Sequence, residues 1–248
     1  MRVNVENFKT VLRKATLNMS IDTVQLNFTQ GKIVSKMITQ ASDGIVLLDV
    51  PNDVIIDMTA NDDFQFNFNE PNQYVMPFLN LIDEEEANLF VHENRITLTM
   101  GRQRSNLFFC APTVVSVFTA GGPLDTIDFF HEVNVDESFV ATFKKIKKVG
   151  TRFGRVYFTV ENGKLSIEST DKRNTVSNTL KFELSNIDSS DLTICFDYGN
   201  FAKMMSIVEE NFEDFIMKLS YLEAQELGMI CMQKNDNSEN YFLMSKVD

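Results

Sequence analysis

Residues 24–33 (VQLNFTQGKI) and 156–165 (VYFTVENGKL) are the same pattern written twice, 132 positions apart. Each is an alternating strand, a tight turn ending in Gly-Lys, and the start of a second strand. The copying extends further. A helical spacing of apolar residues precedes each hairpin: Phe8, Val11, Leu12 and Ala15 in one half, Phe139, Val140, Phe143, Ile146 and Val149 in the other. Downstream, 63–69 matches 191–197, short apolar helices are expected over 72–82 and 200–208, and the halves end in similar strands at 106–110 and 240–244. A repeat of this length makes the chain build one unit twice. Each half reads β-α-β-β-β followed by β-α-β-β-β. The strands are mostly hairpin-linked, so antiparallel sheets are expected, with the helices covering one face: an α+β layer architecture. The expected domains are 1–111 and 129–248, joined by a connector over 112–128 that holds Pro112 and the run Gly121-Gly122-Pro123. Val114, Val115, Val117 and Phe118 make that connector too apolar for a free linker, and an edge strand followed by a loop is expected there.

Charge is distributed unevenly over this frame. The chain has 248 residues and a net charge of −12. The windows 7–19 and 139–155 hold nine Lys and Arg and no acid. The rest carries 14 basic against 35 acidic groups. Both windows coincide with expected helices. Asp136 and Ser138 offer capping groups for the second, and Gly150 suits its end. An acidic body with two concentrated basic helices can hold a polyanion on one face only. The candidate DNA-contacting residues are Lys9, Arg13, Lys14, Lys144, Lys145, Lys148 and Arg152, with Lys203 secondary. Lys147 is less suited, because four neighbouring lysines cannot share one side of a helix.

Other chemistry is sparse. His92 and His131 lack the neighbours of a metal site or a catalytic triad, and His92 falls at a hairpin tip. Glu84, Glu85 and Glu86 read as a solvated acidic turn. No Gly-rich phosphate loop or nucleophile elbow occurs. No catalytic residue, metal or cofactor is expected. Cys110, Cys195 and Cys231 are odd in number and far apart, which fits free thiols in a reducing, intracellular compartment. No apolar stretch reaches the ~18 residues of a membrane span, and the N-terminus lacks the pattern of a signal peptide.

The repeat, the length, the basic first helix of each half and the apolar connector together resemble the DNA sliding clamps of the PCNA and T4-like phage type. The connector 111–115 is similar to the phage branch, and 241–248 to the family's last strand and tail. The resemblance covers essentially the whole chain and implies two tandem clamp-type domains. Antiparallel sheets lie outside, helices line one face, and three chains close into a ring of six domains around duplex DNA. It implies a processivity factor that tethers a DNA polymerase, a clamp loader and other replication proteins. Partners would dock short peptides in an apolar groove. The matching positions are Ala41, Ser42 and Ile45 of a front loop, Val117 and Phe118 of the connector, and Tyr241, Met244, Lys246 and Val247 at the C-terminus. It also implies head-to-tail subunit contacts in which 114–118 pairs with 175–182 of the next chain, through Val114, Val115, Val176 and Leu180. The localisation implied is host cytoplasm for a phage protein, or a nucleus or replication site for a eukaryotic or viral one.

Three other readings stand beside this one. A monomeric DNA-binding processivity subunit would use the same basic helices without closing a ring. A β-rich viral structural protein would explain the acidity and the edge strands but not the lysine helices. An RNA-binding module is suggested by 151–158 (TRFGRVYF), where Phe153, Gly154, Val156 and Phe158 match an RNA-recognition signature. Arg155 there stands in place of a stacking aromatic.

Overall fold

The structure is a computed structural model and describes residues 1–119, 124, 127–170, 172, 178–223 and 226–245. The chain divides into two compact units. Unit 1 comprises 1–40 and 45–119, and unit 2 comprises 41–44 and 120–248.

In unit 1, β1 (Arg2–Asn4) leads into α1 (Val5–Ala15). The Asn4 side chain caps α1 by accepting from the Asn7 amide at 2.9 Å. Strands β2 (Thr23–Phe28), β3 (Lys32–Ile38), β4 (Gly44–Pro51), β5 (Ile55–Ile56) and β6 (Phe64–Asn69) follow. The helix expected over 72–82 is two short pieces, α2 (Pro71–Tyr74) and α3 (Met76–Leu79), each beginning on or beside a proline, Pro71 and Pro77. A proline cannot donate to the preceding turn, so the helix restarts. The unit ends with β7 (Glu86–His92), β8 (Arg95–Met100) and β9 (Gln103–Phe108). All pairings are antiparallel, in the orders β5-β1-β7-β8-β9 and β4-β3-β2-β6.

Unit 2 repeats the plan. β10 (His131–Asn134) leads into α4 (Glu137–Phe153), then come β11 (Arg155–Glu161), β12 (Lys164–Ser169) and β13 (Leu180–Asn186). β14 (Leu192–Asp197), α5 (Tyr198–Val208), a 3₁₀ segment Glu209–Asp214, β15 (Phe215–Leu222), β16 (Leu227–Lys234) and β17 (Glu239–Met244) complete it. The antiparallel orders are β13-β12-β11-β14 and β10-β15-β16-β17. The repeated hairpin is real: β2 and β3 flank Gly31, and β11 and β12 turn through Asn162 and Gly163 at φ 51° and 74°. Two successive left-handed residues give the turn a twist that matches the strands.

The alternating strand pattern puts its apolar side on a phenylalanine core in each unit. In unit 1 Phe8 of α1 reaches Phe68, and Phe66 lies 4.8 Å from Phe28 and 5.3 Å from Phe109 (ring centroids). In unit 2 Phe143 of α4 and Phe158 of β11 both meet Phe201 of α5 edge-on at 5.7 Å. Such ring pairs add to burial through complementary edge and face charge.

One expected boundary is corrected. α4 does not stop at Gly150 but runs through Phe153, and Gly154 closes it at φ 66°. Gly150 serves packing instead: a Cβ there would stand 2.2 Å from the Tyr198 ring of α5.

Candidate nucleic-acid interface and partner surfaces

The stripes Val5, Phe8, Leu12, Ala15 and Phe139, Phe143, Ile146, Gly150 are buried, which turns the cations of α1 and α4 away from each unit's core. Both helices also carry a first-turn glutamate just outside the acid-free windows, Glu6 and Glu137. The cations cluster in the C-terminal halves, where the helix dipole favours them. The net charges are therefore +2 over α1 and +4 over α4.

The individual side chains differ. Lys9 is largely covered, at 13% side-chain exposure, and its Nζ is 2.7 Å from Glu6 Oε1. Arg13 and Lys14 are half-buried on the same helix. On α4, Lys144 lies 3.0 Å from Glu209, and Lys145 sits 5.5 Å over the Phe182 ring of β13. Lys147, Lys148 and Arg152 are exposed, with no acidic partner among the described residues. At 100° per residue, Lys148 and Arg152 project from the middle of the outer face, with Lys144 and Lys145 beside them. Lys147 lies toward α5, whose Tyr198 hydroxyl donates to the Lys147 carbonyl. Lys203 is half-buried on α5. Unit 1 offers no equivalent of Lys203: α2 and α3 carry no basic residue.

The peptide-groove residues separate into two sets. Ala41 and Ser42 are exposed, and Val117, Phe118 and Met244 are half-exposed. Asp43 binds within unit 2, its carbonyl accepting from the Met244 amide at 2.9 Å and its carboxylate from Asn200 Nδ2 at 3.2 Å. Ile45 and Tyr241 are corrected to core residues. They are 1% and 0% exposed, and the Tyr241 hydroxyl donates to the buried Glu239 at 2.7 Å. Lys246 and Val247 lie outside the described residues, as does Val176 of the expected interface.

The expected edge strand also moves. Residues 114–118 are engaged within unit 1. Val114 lies in the 3₁₀ turn Pro112–Val114 and is exposed, Val115 is buried, and Val117 bridges Met37. The Phe118 amide donates to the Lys36 carbonyl at 2.9 Å, and the Ile38 amide to Ser116. The β5-to-β9 order ends on the two-residue β5 at one side and on the six-residue β9 at the other. Met100 and Gln103 close a two-residue turn, so alternation turns the backbone groups of Arg104, Asn106 and Phe108 away from β8. Phe108 is 61% exposed and Tyr74 58%. With Val75, Phe78, Phe109 and Cys110 they line an apolar hollow of about 410 Å³. The sequence signal for this surface is the apolar run Leu107-Phe108-Phe109 at the end of the first half. In unit 2, β13 is outermost in its order and starts with the half-exposed Leu180.

Of the thiols, Cys110 lines the hollow beside Phe108, while Cys195 and Cys231 are buried. His131 lies 2.8 Å from Ser185 Oγ, and burial lowers its pKa. His92 is exposed at the end of β7. Burial pushes the Cys231 thiol up to about 12. Among the described residues no group of three His, Cys, Asp or Glu is placed to hold a metal ion.

No protein-family model and no curated protein sequence matches this chain. Solved structures match it along its whole length. PCNA of A. fulgidus, in a structure with the C-terminal region of FEN-1 bound, superposes at TM-score 0.66 with 13% identity, over 100% of this chain and 98% of that one. The PCNA2–PCNA3 complex of Sulfolobus tokodaii gives 0.64 and 15%, over 100% of both chains. The DNA polymerase sliding clamp of Bacillus subtilis gives 0.68 and 11%, with 100% of this chain covering 64% of that one. At such identities the agreement lies in the path of the backbone: this chain has the fold of the DNA sliding clamps.

Proposed function

We propose that this chain is a sliding clamp: a non-enzymatic ring, closed from three copies around duplex DNA, that tethers a polymerase to its template. The observation that carries this reading is the outer face of α4. There Lys144, Lys145, Lys148 and Arg152 gather on one helix of a chain whose net charge is −12. Duplex DNA presents one phosphate charge per ~1.7 Å of axis, so flexible cations can trade phosphates without reading bases. Arg13 and Lys14 of α1, and Lys203, supplement the α4 set. Lys9, tied to Glu6, contributes least.

Closure is assigned to β9 and β13. An outermost strand with outward backbone groups takes another strand. Pairing β9 of one copy with β13 of the next makes a head-to-tail contact, which a rotation can close into a ring. The hollow beside Phe108 supplies apolar area for it. Two units per chain and six in the ring give three copies.

Ala41, Ser42, Val117, Phe118 and Met244 remain the proposed surface for short peptides of a polymerase and a loader, with Lys246 and Val247 of the tail. An anchor side chain held among half-exposed apolar residues is how such a peptide gains most of its affinity. The C-terminal region of FEN-1 bound to the A. fulgidus PCNA is a precedent in the same fold. The thiols suit an intracellular, reducing compartment.

The test is retention on circular plasmid DNA, with a loader or a crowding agent to promote loading, followed by linearisation. Retention on the circle and release on cutting is the expected result. Equal, salt-sensitive binding to both forms would mean an open phosphate-binding surface and a monomeric processivity subunit. No binding under any loading condition would leave a structural protein.

A further inference from the structure

Unit 2 carries a groove that the ring reading does not use. A hollow of about 300 Å³ lies between the start of α4 and the start of β15. Val135, Phe212, Phe215 and Ile216 give it an apolar floor, and Asp136, Glu137 and Glu213 stand at its rim. A second hollow of about 210 Å³ shares Phe212 and Glu213 and adds Glu210 and Asp214. Phe212 is half-exposed between the two.

On the Glu209–Asp214 side the rim charge is placed against the local electrostatics, whereas Asp136 and Glu137 stand at the N-terminus of α4, which favours acids. Glu209 caps the C-terminus of α5, the negative end of its dipole, and the segment Glu209–Asp214 holds four acids in six residues. Helix ends of this kind favour cations. Lys144 offsets Glu209 at 3.0 Å, while Glu137, Glu213 and Asp214 have no basic partner among the described residues. A sequence that breaks a local rule on a concave surface does so most often for binding. The occupant must be cationic, to match the rim, and must carry large apolar side chains, to match the floor. Phosphates are repelled, so DNA does not fit. The clustered cations of α1 and α4 belong to helices whose apolar faces are buried in their own units, so another copy of this chain cannot offer them as an extended segment.

We propose that the groove formed by 134–137 and 210–216 binds a linear basic peptide of a partner protein, one or two large apolar anchors flanked by Lys or Arg. The apolar anchors fill the floor beside Phe212 and Ile216, and the flanking cations meet Glu137, Glu213 and Asp214.

The test uses the full chain and a fluorescein-labelled hexapeptide, KRLFKR, followed by anisotropy at about 0.1 M salt, where surface attraction is screened beyond ~10 Å. Saturable binding is expected. Phe212→Ala and Glu213→Lys should each weaken it about tenfold, as should replacing the probe by KRGSKR, since a central anchor and a close charge pair carry such weight. Both substitutions lie on the surface, and thermal melts check their folding. Plasmid retention should be unchanged in both, so this proposal and the ring reading fail separately. Three results would overturn the proposal. One is KRGSKR binding as tightly as KRLFKR, or variants as tight as the parent, which is plain attraction to an acidic chain. Another is no binding at about 1 mM peptide, a free energy weaker than about −4 kcal/mol. The last is loss of assembly in Phe212→Ala, which makes the groove a contact between copies.

Discussion

Gly150 shows at the residue scale how one missing side chain joins two helices. Glycine inside a helix costs about 1 kcal/mol against alanine. Here the Tyr198 ring occupies the place of a Cβ, with Cε2 at 2.2 Å and Cδ2 at 2.5 Å. The ring is 5% exposed and its hydroxyl is bonded to the Lys147 carbonyl, so it has no free direction of retreat. Gly150→Ala should therefore destabilise the chain by about 1–3 kcal/mol net, as overpacking does, although alanine favours the helix. Urea unfolding checks it, and Gly150→Ala with Tyr198→Ala should recover part of the loss. A second prediction concerns alkali. Burial holds the Cys231 thiol at about 12, above its ordinary 9.0, and raises the Tyr241 hydroxyl well above 10.0, where Glu239 opposes its ionisation further. Both groups are neutral in the fold and ionise more readily when unfolded. Their stabilisation is thus complete below pH 9 and declines as pH rises from 9 toward 12. The melting temperature should fall across that window, and less steeply in Cys231→Ala, even though that variant starts lower because of its cavity.

At the scale of elements, strand alternation says that a segment is a strand but not what lies beside it. The stretches 106–110 and 114–118 both read as strands, and the second, richer in valine, is the one the sequence offers as the subunit edge. The structure gives its Val117 and Phe118 to β3, through Met37 and Lys36, and leaves β9 outermost. That choice depends on hydrogen bonds to residues distant in sequence, which no local pattern encodes. The end of α4 was illegible for the same reason, since Tyr198, which explains Gly150, belongs to another helix. The repeat, the hairpins and the outward turn of the lysines were legible because each follows from a period of 2 or 3.6 residues. The break in α2–α3 could have been read from Pro71 and Pro77. Of the groove residues, Ile45 and Tyr241 failed because an apolar residue at a surface loop or terminal strand reads alike whether it faces a ligand or the core. The assignment of β9 makes a prediction of its own. Phe108→Asp, at an exposed site, should leave each chain folded and reduce the proposed three-chain mass to that of one chain, 28.4 kDa, by light scattering. Arg104→Pro should do the same, because its amide faces away from β8 and an edge strand tolerates proline. A mass unaffected by either substitution would place the contact elsewhere.

For the whole molecule, the proposed clamp has two kinds of hold on DNA that can be broken one at a time. Phosphate contacts depend on salt, whereas enclosure depends on the ring staying closed. Lys148 and Arg152 lie mid-face on α4, exposed, and can be changed to glutamine without touching the core. In equilibrium binding to short open-ended duplex, each lost phosphate contact lowers the slope of log K against log salt by about 0.9, so the double variant should lose about 2 per contacting helix. Its retention on closed circular DNA at fixed salt should persist, because enclosure does not need those cations. Phe108→Asp should behave in the opposite sense: a single chain with α4 intact keeps its salt-dependent affinity for open duplex and loses retention on the circle. If both variants instead lose both properties in proportion, contact and enclosure are not separable here. The chain then holds DNA as an ordinary basic surface, with the clamp fold but not the clamp mechanism.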